Sequence, residues 1–424
     1  MFEKYDAYQD SGLEWIGRIP SCWSILRAKN LFKFRKIINA KYQCDNVLSL
    51  TLRGVVNNNF DNPEGLIPKD YATYQIFNKN DLVFKLIDLE NISTSRVGLV
   101  HEKGIMSPAY IRLECSENVS PQFAYYYFYN LYLQAVFNKL GAGVRSTLSQ
   151  KDLLELPYLN VCQEHQTKIV NFLNTKILEI DQAIALKEQQ IALLNERKQI
   201  IIQKAVTQGL DPNVPMKDSG VEWIGQIPEH WEIRANRTIF KERNEQGKEG
   251  LPLLSVSIHS GVSNEEIAEE DNIRGRVKIE DKSKYILVKK GDIAFNMMRA
   301  WQGGIGAVSV DGMVSPAYIV AKPNDLINSD FFEYQYRCPE FIQQMDRYSK
   351  GITDFRKRLY WDGFKQLLTV VPPIDEQLKI VEQIKAIEEQ TNFAIQIKNQ
   401  QIEKLKEYKT TLINDAVTGK IKVA

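Results

Sequence analysis

A segment of eleven residues occurs twice in this chain, and the second copy begins 208 residues after the first. Asp10-Ser11-Gly12-Leu13-Glu14-Trp15-Ile16-Gly17-Arg18-Ile19-Pro20 returns as Asp218-Ser219-Gly220-Val221-Glu222-Trp223-Ile224-Gly225-Gln226-Ile227-Pro228. Solenoid repeats have periods of roughly 20 to 50 residues, so a period this long is a whole domain with its linker. The chain is therefore expected to fold as two related halves, with a function that comes in two related copies.

The match persists at the same offset. Trp23 corresponds to Trp231, Leu31-Phe32-Lys33 to Ile239-Phe240-Lys241, and Ser107-Pro108-Ala109-Tyr110 to Ser315-Pro316-Ala317-Tyr318. Phe123, Tyr126 and Phe128 correspond to Phe331, Tyr334 and Tyr336. Between these anchors the halves diverge: 48–74 shares little with 254–285, and 85–102 shares little with 296–310. Trp15, Trp23, Trp223 and Trp231 lie in the shared parts, which favours core packing over base stacking. The Ser-Pro-Ala-Tyr segments read as turns entering a strand, with the Tyr in the core. Asn80-Asp81 and Gly291-Asp292 precede apolar runs and suit hairpin turns with φ > 0. The aromatic stretch from Phe123 to Tyr132 has helical spacing.

Near the end of each half the offset becomes 211, as Gln166-Thr167-Lys168-Ile169-Val170 against Gln377-Leu378-Lys379-Ile380-Val381 and Ala205-Val206-Thr207 against Ala416-Val417-Thr418. Between these anchors Leu173, Ile177, Ile180, Ile184, Ile191, Leu194, Ile201 and Ala205 alternate at spacings of three and four, with Lys187 and Lys198 filling the gaps. Ile384, Ile395, Ile402, Leu405, Leu412 and Ala416 take the matching places in the second half, with Lys398 and Lys409 in the same gaps. This is the seam of a long helix that pairs with another helix. Gly209 and Gly419 read as helix stops. About 40 residues at 1.5 Å rise make a rod of roughly 60 Å. Two equal rods are best explained by antiparallel packing on each other within the chain; pairing with helices of another chain is the alternative.

Composition sets bounds on function. At 424 residues with 44% apolar content, each half can bury a core of its own. With 54 basic and 53 acidic residues, net charge selects no partner class, so any nucleic-acid surface must be local. A basic run at Arg27, Lys29, Lys33, Arg35, Lys36 and Lys41 reads as a solvated helix face. The five cysteines are odd in number and lack Cys-x-x-Cys spacing, which suits reduced thiols and supports neither a disulfide frame nor zinc. The start of the chain lacks a secretory pattern and no run of 18 apolar residues occurs, so a soluble, cytoplasmic protein is expected. The chain carries no phosphate loop, no dinucleotide fingerprint and no His-Glu-x-x-His. Pro372-Pro373 lacks the preceding Asn or Asp and the following aromatic with which amino-methyltransferases hold a base.

Taken together, these features resemble the specificity subunit of a type I DNA restriction-modification enzyme. The resemblance covers essentially the whole chain. It rests on the paired Asp-Ser-Gly-x-Glu-Trp-Ile-Gly-x-Ile-Pro segments, the Ser-Pro-Ala-Tyr motifs, the Val371-Pro372-Pro373-Ile374-Asp375-Glu376-Gln377 lead into the second helix, and the Ala-Val-Thr helix ends. One departure is the lead into the first helix, Val161-Cys162-Gln163-Glu164-His165-Gln166, which lacks the Pro pair and blurs the expected helix start. The resemblance implies an α+β chain with target recognition domains of mixed α/β fold at 1–161 and 210–373. Spacer helices at 162–209 and 374–419, with a tail at 420–424, would form an intramolecular antiparallel coiled coil with pseudo-twofold symmetry. It further implies a non-catalytic chain without a cofactor that reads a bipartite, asymmetric site in double-stranded DNA. Its helices would dock two modification subunits, which bind S-adenosylmethionine and methylate adenine N6; restriction subunits using ATP and Mg would add motor and nuclease. A coiled-coil adaptor that does not bind DNA is the rival reading, separable by the steep salt dependence a DNA reader must show.

On this resemblance, DNA contacts are sought among polar side chains of the divergent segments, since base contacts specify while phosphate contacts position. In the first half these are Arg96, Arg145, Ser146 and Thr147; in the second, Arg299, Gln302, Lys350, Arg356, Lys357 and Arg358. Each alone is equally compatible with an ordinary surface charge.

Overall fold

The structure, a computed structural model, describes residues 2–58, 70–90, 93–141, 146–263, 284–351 and 357–423. Two compact units emerge: residues 1–188 together with 399–424, and residues 189–398.

In the first unit a four-stranded antiparallel sheet runs in the order Phe32–Phe34, Ile111–Cys115, Leu82–Phe84, Val97–Leu99. Strand Ser24–Arg27 pairs outside this sheet with Pro157–Asn160, and Leu48–Thr51 forms a hairpin with Gly54–Asn57. Helix Pro121–Leu133 starts on Ser120, whose side chain accepts from Phe123 N–H, with Pro121 supplying the fixed φ of a first turn. Its aromatic spacing puts Phe123, Tyr127 and Leu131 on one buried face. They join Trp23, Phe32, Phe84 and Tyr158 in the core. The basic run at Arg27 to Lys41 is not a helix face. Arg27 ends one strand and Lys33 lies within another, Lys29 sits in a 3₁₀ turn, and Arg27 and Lys29 both reach Glu155 while Arg35 reaches Glu114. Only Phe32 and Phe34, flanking Lys33, show the spacing of a strand, and the count of basic residues hid it.

In the second unit the sheet order is Phe240–Glu242, Tyr318–Pro323, Ile293–Asn296, Ile305–Ala307, again antiparallel throughout. Glu232–Ala235 pairs with Leu368–Val371, and Ser255–Ser257 forms a hairpin with Gly261–Ser263. Helices Ser329–Tyr336 and Pro339–Tyr348 cover the core around Trp231, Phe240, Phe295 and Phe364. Asn80 (φ 74°) and Gly291 (φ 90°) do adopt the left-handed conformation the turns require. The turns are not hairpins, however. Gln75–Phe77 pairs with Gly104–Met106 while Leu82–Phe84 belongs to the main sheet, and Ile286–Val288 pairs with Gly312–Val314 in the same way. Each turn passes the chain from one sheet to another.

The long helices span Gln163–Gln208 and Ile374–Val417, each with its first residue 211 positions from the other's. The missing Pro pair thus leaves the helix start where its counterpart has it. A buried glutamine pins each start to its own unit. Gln166 Nε2 donates to the carbonyls of Val161 (2.7 Å) and Asn118 (3.0 Å) while its Oε1 accepts from Ser120 N–H (2.7 Å). Gln377 does the same with Pro372 (2.8 Å), Leu326 (2.8 Å) and Asn328 N–H (2.8 Å). Gly209 (φ 79°) and Gly419 (φ 72°) follow the helix ends.

Within the first unit, Ile169, Val170, Leu173 and Ile180 of one helix share a core with Leu412, Ile413, Ala416 and Val417 of the other. Lys409 Nζ reaches Asp181 at 2.7 Å and Lys187 Nζ reaches Gln401 at 2.7 Å. Within the second unit, Ile202, Ala205 and Val206 share a core with Ile380, Val381 and Ile384, Lys398 Nζ reaches Gln190 at 2.7 Å, and Lys198 Nζ reaches Asn392 at 3.4 Å. In each unit the partner's number falls as the helix number rises, so the paired segments are antiparallel. Of the seam residues, Leu173, Ile180, Ile384, Ile402 and Leu412 are buried; Ile177, Ile184, Ile191, Leu194, Ile201, Ile395 and Leu405 are half-buried.

Candidate nucleic-acid interface

In each unit the same backbone clip joins two divergent segments. In the first, Leu148 N–H donates to Leu86 O at 2.9 Å; in the second, Leu359 N–H donates to Met297 O at 2.9 Å. Both partners of the second clip lie 211 positions beyond those of the first. The clip holds the loop that leaves the central strand against the loop that precedes a short helix, Gln150–Glu155 or Trp361–Phe364. The first of these helices is fixed by a capping box between Ser149 and Asp152, whose hydrogen bonds also hold the Asp152 carboxyl below its ordinary range.

Around the first clip, Leu89 N–H donates to Ser146 O (3.2 Å), and Lys85 Nζ donates to Thr94 Oγ1 (3.0 Å). Arg96 is buried, with Nη2 donating to Asp88 O (2.7 Å) and Nη1 to Ile87 O (3.4 Å). Burial lowers its pKa from the usual guanidinium value. Arg96 therefore braces this loop from inside. Ser146, at φ 41°, is half-buried and Thr147 is exposed, while Arg145 lies outside the described residues.

Around the second clip the side chains differ. Arg299 is exposed and its Nη1 donates to Gln302 Oε1 at 2.8 Å. Lys350 and Arg358 exchange two backbone hydrogen bonds of 2.9 Å. Lys357 Nζ lies 2.7 Å from Asp346 and 5.2 Å from the centroid of the Trp301 ring, a cation–π contact. Trp301 Nε1 donates to Met298 O at 3.0 Å, which fixes the ring. Arg356 lies outside the described residues. The structure thus gathers Arg299, Gln302, Lys350, Lys357 and Arg358 about one clip, and Arg96, Ser146 and Thr147 about the other. Sequence reasoning missed Lys85 and Trp301; the signal was that Trp301 falls in the divergent segment, unlike the four tryptophans of the repeated motif region. Of those four, Trp23 and Trp231 are buried, and their indole N–H groups donate to the long helices, at His165 (3.2 Å) and Glu376 (3.0 Å).

Among the described residues no helix is long and apolar enough to cross a membrane, and no cluster of three or more His, Cys, Asp or Glu side chains could hold a metal ion.

The fold, mixed α/β units with a long central helix, is similar to that of solved chains. One is a chain from a structure described as the structural basis underlying complex assembly and conformational transition of the type I R-M system: TM-score 0.64, 11% identity, covering 94% of this chain and 98% of that one. Another is the HsdS subunit from Thermoanaerobacter tengcongensis, with TM-score 0.52 and 12% identity over 95% and 98% of the two chains. In sequence, the chain is similar to the putative type I restriction enzyme MjaX specificity subunit of Methanocaldococcus jannaschii, 24% identical over 441 aligned residues and 96% of each chain. It is also similar to the type I restriction enzyme MjaVIII specificity subunit of the same organism, 25% identical over 82% of this chain and 80% of that one. No family model matches the chain. The chain is a homologue of type I restriction enzyme specificity subunits.

Proposed function

We propose that this chain is the DNA-reading subunit of a type I restriction-modification assembly. The target recognition domains at 1–161 and 210–373 each read one half of a bipartite, asymmetric site in double-stranded DNA. The helices at 162–209 and 374–419 form an antiparallel coiled coil that sets the spacing of the two halves, because helix length converts into distance at about 1.5 Å per residue. The observation that carries this reading is the duplicated clip: one backbone arrangement, held by hydrogen bonds at positions 211 apart, is surrounded by hydroxyls and lysine in one unit and by Arg, Gln, Lys and Trp in the other. A fixed scaffold with unlike polar groups at one place is what reading two different sequences requires.

The chain supplies the address and its partners the chemistry. Two modification subunits dock on the helices, bind S-adenosylmethionine and methylate adenine; restriction subunits bring ATP and Mg. Docking is supported by exposed apolar residues at seven- and eight-residue intervals on the first long helix, Leu178, Leu186, Leu193 and Ile200, and by Phe393, Ile397 and Tyr408 on the second. Apolar side chains at helical spacing facing water mark a surface that another helix covers.

The test is co-expression with the neighbouring modification subunit in a methylation-free host, followed by sequencing of N6-methyladenine. A bipartite motif with a fixed gap is expected. A soluble complex that leaves no motif would overturn the reading in favour of an adaptor.

A further inference from the structure

Arg299 stands on a 3₁₀ turn, Ala300–Gln302, that leaves it little freedom. Its N–H donates to Asn296 O, and its own carbonyl accepts from Gln302 N–H and Gly304 N–H, all at 2.9 Å. Gly303 closes the turn at φ 88°, and a Cβ on Gly304 would sit 2.9 Å from the Arg299 carbonyl oxygen and Cβ. The turn therefore fixes the backbone and Cβ at position 299, from which the arginine side chain projects. Once Arg299 Nη1 donates to Gln302 Oε1, the glutamine acceptor is engaged. Beyond that bond the pair retains the other guanidinium N–H groups and the amide NH₂, so its donors outnumber its acceptors.

Bases differ in what they present in the major groove. Guanine shows two acceptors, N7 and O6; adenine shows one acceptor and one donor; cytosine shows a donor; thymine shows an acceptor and a methyl group. A donor edge fits guanine best and is opposed by cytosine. We propose that the Arg299–Gln302 pair reads guanine in the half-site recognised by the second unit, an assignment that rests on the DNA-reading function proposed above. The equivalent place in the first unit differs. There Lys85 is spent on the Thr94 hydroxyl and the buried Arg96 on backbone carbonyls, and the bordering hydroxyls of Thr94 and Ser146 both donate and accept. The guanine requirement set by this pair belongs to one half-site.

The experiment uses the full chain complexed with its modification subunit and a set of duplexes in which each base pair of the mapped site is replaced in turn, read by competition binding. The wild-type complex should lose about tenfold or more in affinity when one guanine of one half-site is replaced. Gln302→Glu keeps a partner for Arg299 but turns an acceptor toward the groove; Arg299→Ala removes the fork. Each variant should abolish discrimination at that position and leave the other half-site unchanged, with an unchanged melting temperature. A wild-type profile in both variants overturns the proposal. So does a loss that is uniform over all duplexes, which would make the pair a phosphate contact. A wild-type complex with no bipartite preference overturns the DNA-reading function itself, and the guanine assignment with it.

Discussion

Asp81 and Asp292 close equivalent turns, but the guanidinium that satisfies each comes from a different strand. Arg112, fully buried in strand Ile111–Cys115, places Nε 2.6 Å from Asp81 and Nη2 2.6 Å from Glu114. Arg243, just past strand Phe240–Glu242, places Nε 2.7 Å from Asp292 and also pairs with Glu245. Breaking a buried pair leaves an uncompensated charge, so Arg112→Met should cost about 3–5 kcal/mol in urea unfolding. The turns could be read from Asn80 and Gly291, since only a few residue types accept positive φ. Their arginines could not, because nothing local links Asp81 to a residue 31 positions downstream or Asp292 to one 49 positions upstream.

Glu333 gives a pH-dependent counterpart at the same scale. Burial pushes its carboxyl above the ordinary range, although Ala307 N–H (2.8 Å) and Arg337 (3.1 Å) draw it back. A carboxyl with a raised folded-state pKa stabilises the fold while protonated, and that contribution is lost as pH rises through the folded value. Glu333→Gln should therefore change the melting temperature little at acid pH and gain on the wild type as pH rises; a gap that narrowed with rising pH would contradict the sign.

At the scale of elements, the long helices carry four lysines in an otherwise apolar seam, and each reaches an amide or carboxylate on the facing segment. Polar groups at seam positions fix register at some cost in stability. The half-exposed Lys409–Asp181 contact should be worth about 0.5 kcal/mol. Lys409→Glu should destabilise the chain in urea unfolding, and adding Asp181→Lys should restore it; no coupling between the two would show the contact to be incidental. The alternation of threes and fours revealed the seam in the sequence, yet it missed how deeply Ile202, Ile413 and Val206 are buried. Near its ends each helix packs on both its partner and a globular core, so the buried face widens there, while Ile184, Ile191, Leu194 and Ile395 toward the middle stay half-buried. The Gln166 and Gln377 staples were visible as identities, but their role needed the positions of two backbone groups about 50 residues upstream, Asn118 and Ser120 or Leu326 and Asn328. The clip sites were legible only as divergent stretches: the sequence named the polar side chains, and folding decided that Arg96 turns inward while Arg299 stays in water.

For the molecule as a whole, the duplication was plain from the repeated motif, whereas the strand order was not, since pairs such as Phe32–Phe34 with Ile111–Cys115 and Ser24–Arg27 with Pro157–Asn160 join strands far apart in sequence. The lysine contacts have an arithmetic of their own. Lys187 with Gln401 and Lys398 with Gln190 exchange under a shift of 211, as do Lys198 with Asn392 and Lys409 with Asp181. The first helix therefore contains both sides of each contact. Residues 1–210 alone should form a dimer in sedimentation experiments, with Lys187 facing Gln190 and Lys198 facing Asp181 of the second copy; a monomer under conditions where the full chain is stable would contradict this. The half from 210 onward offers only Asn392 to Lys409 and should associate more weakly. A joint that reads the same from either end is indifferent to which halves it joins. Other globular units could be grafted onto such helices without solving the packing anew, since the lysines and amides that meet along them would keep the same partners.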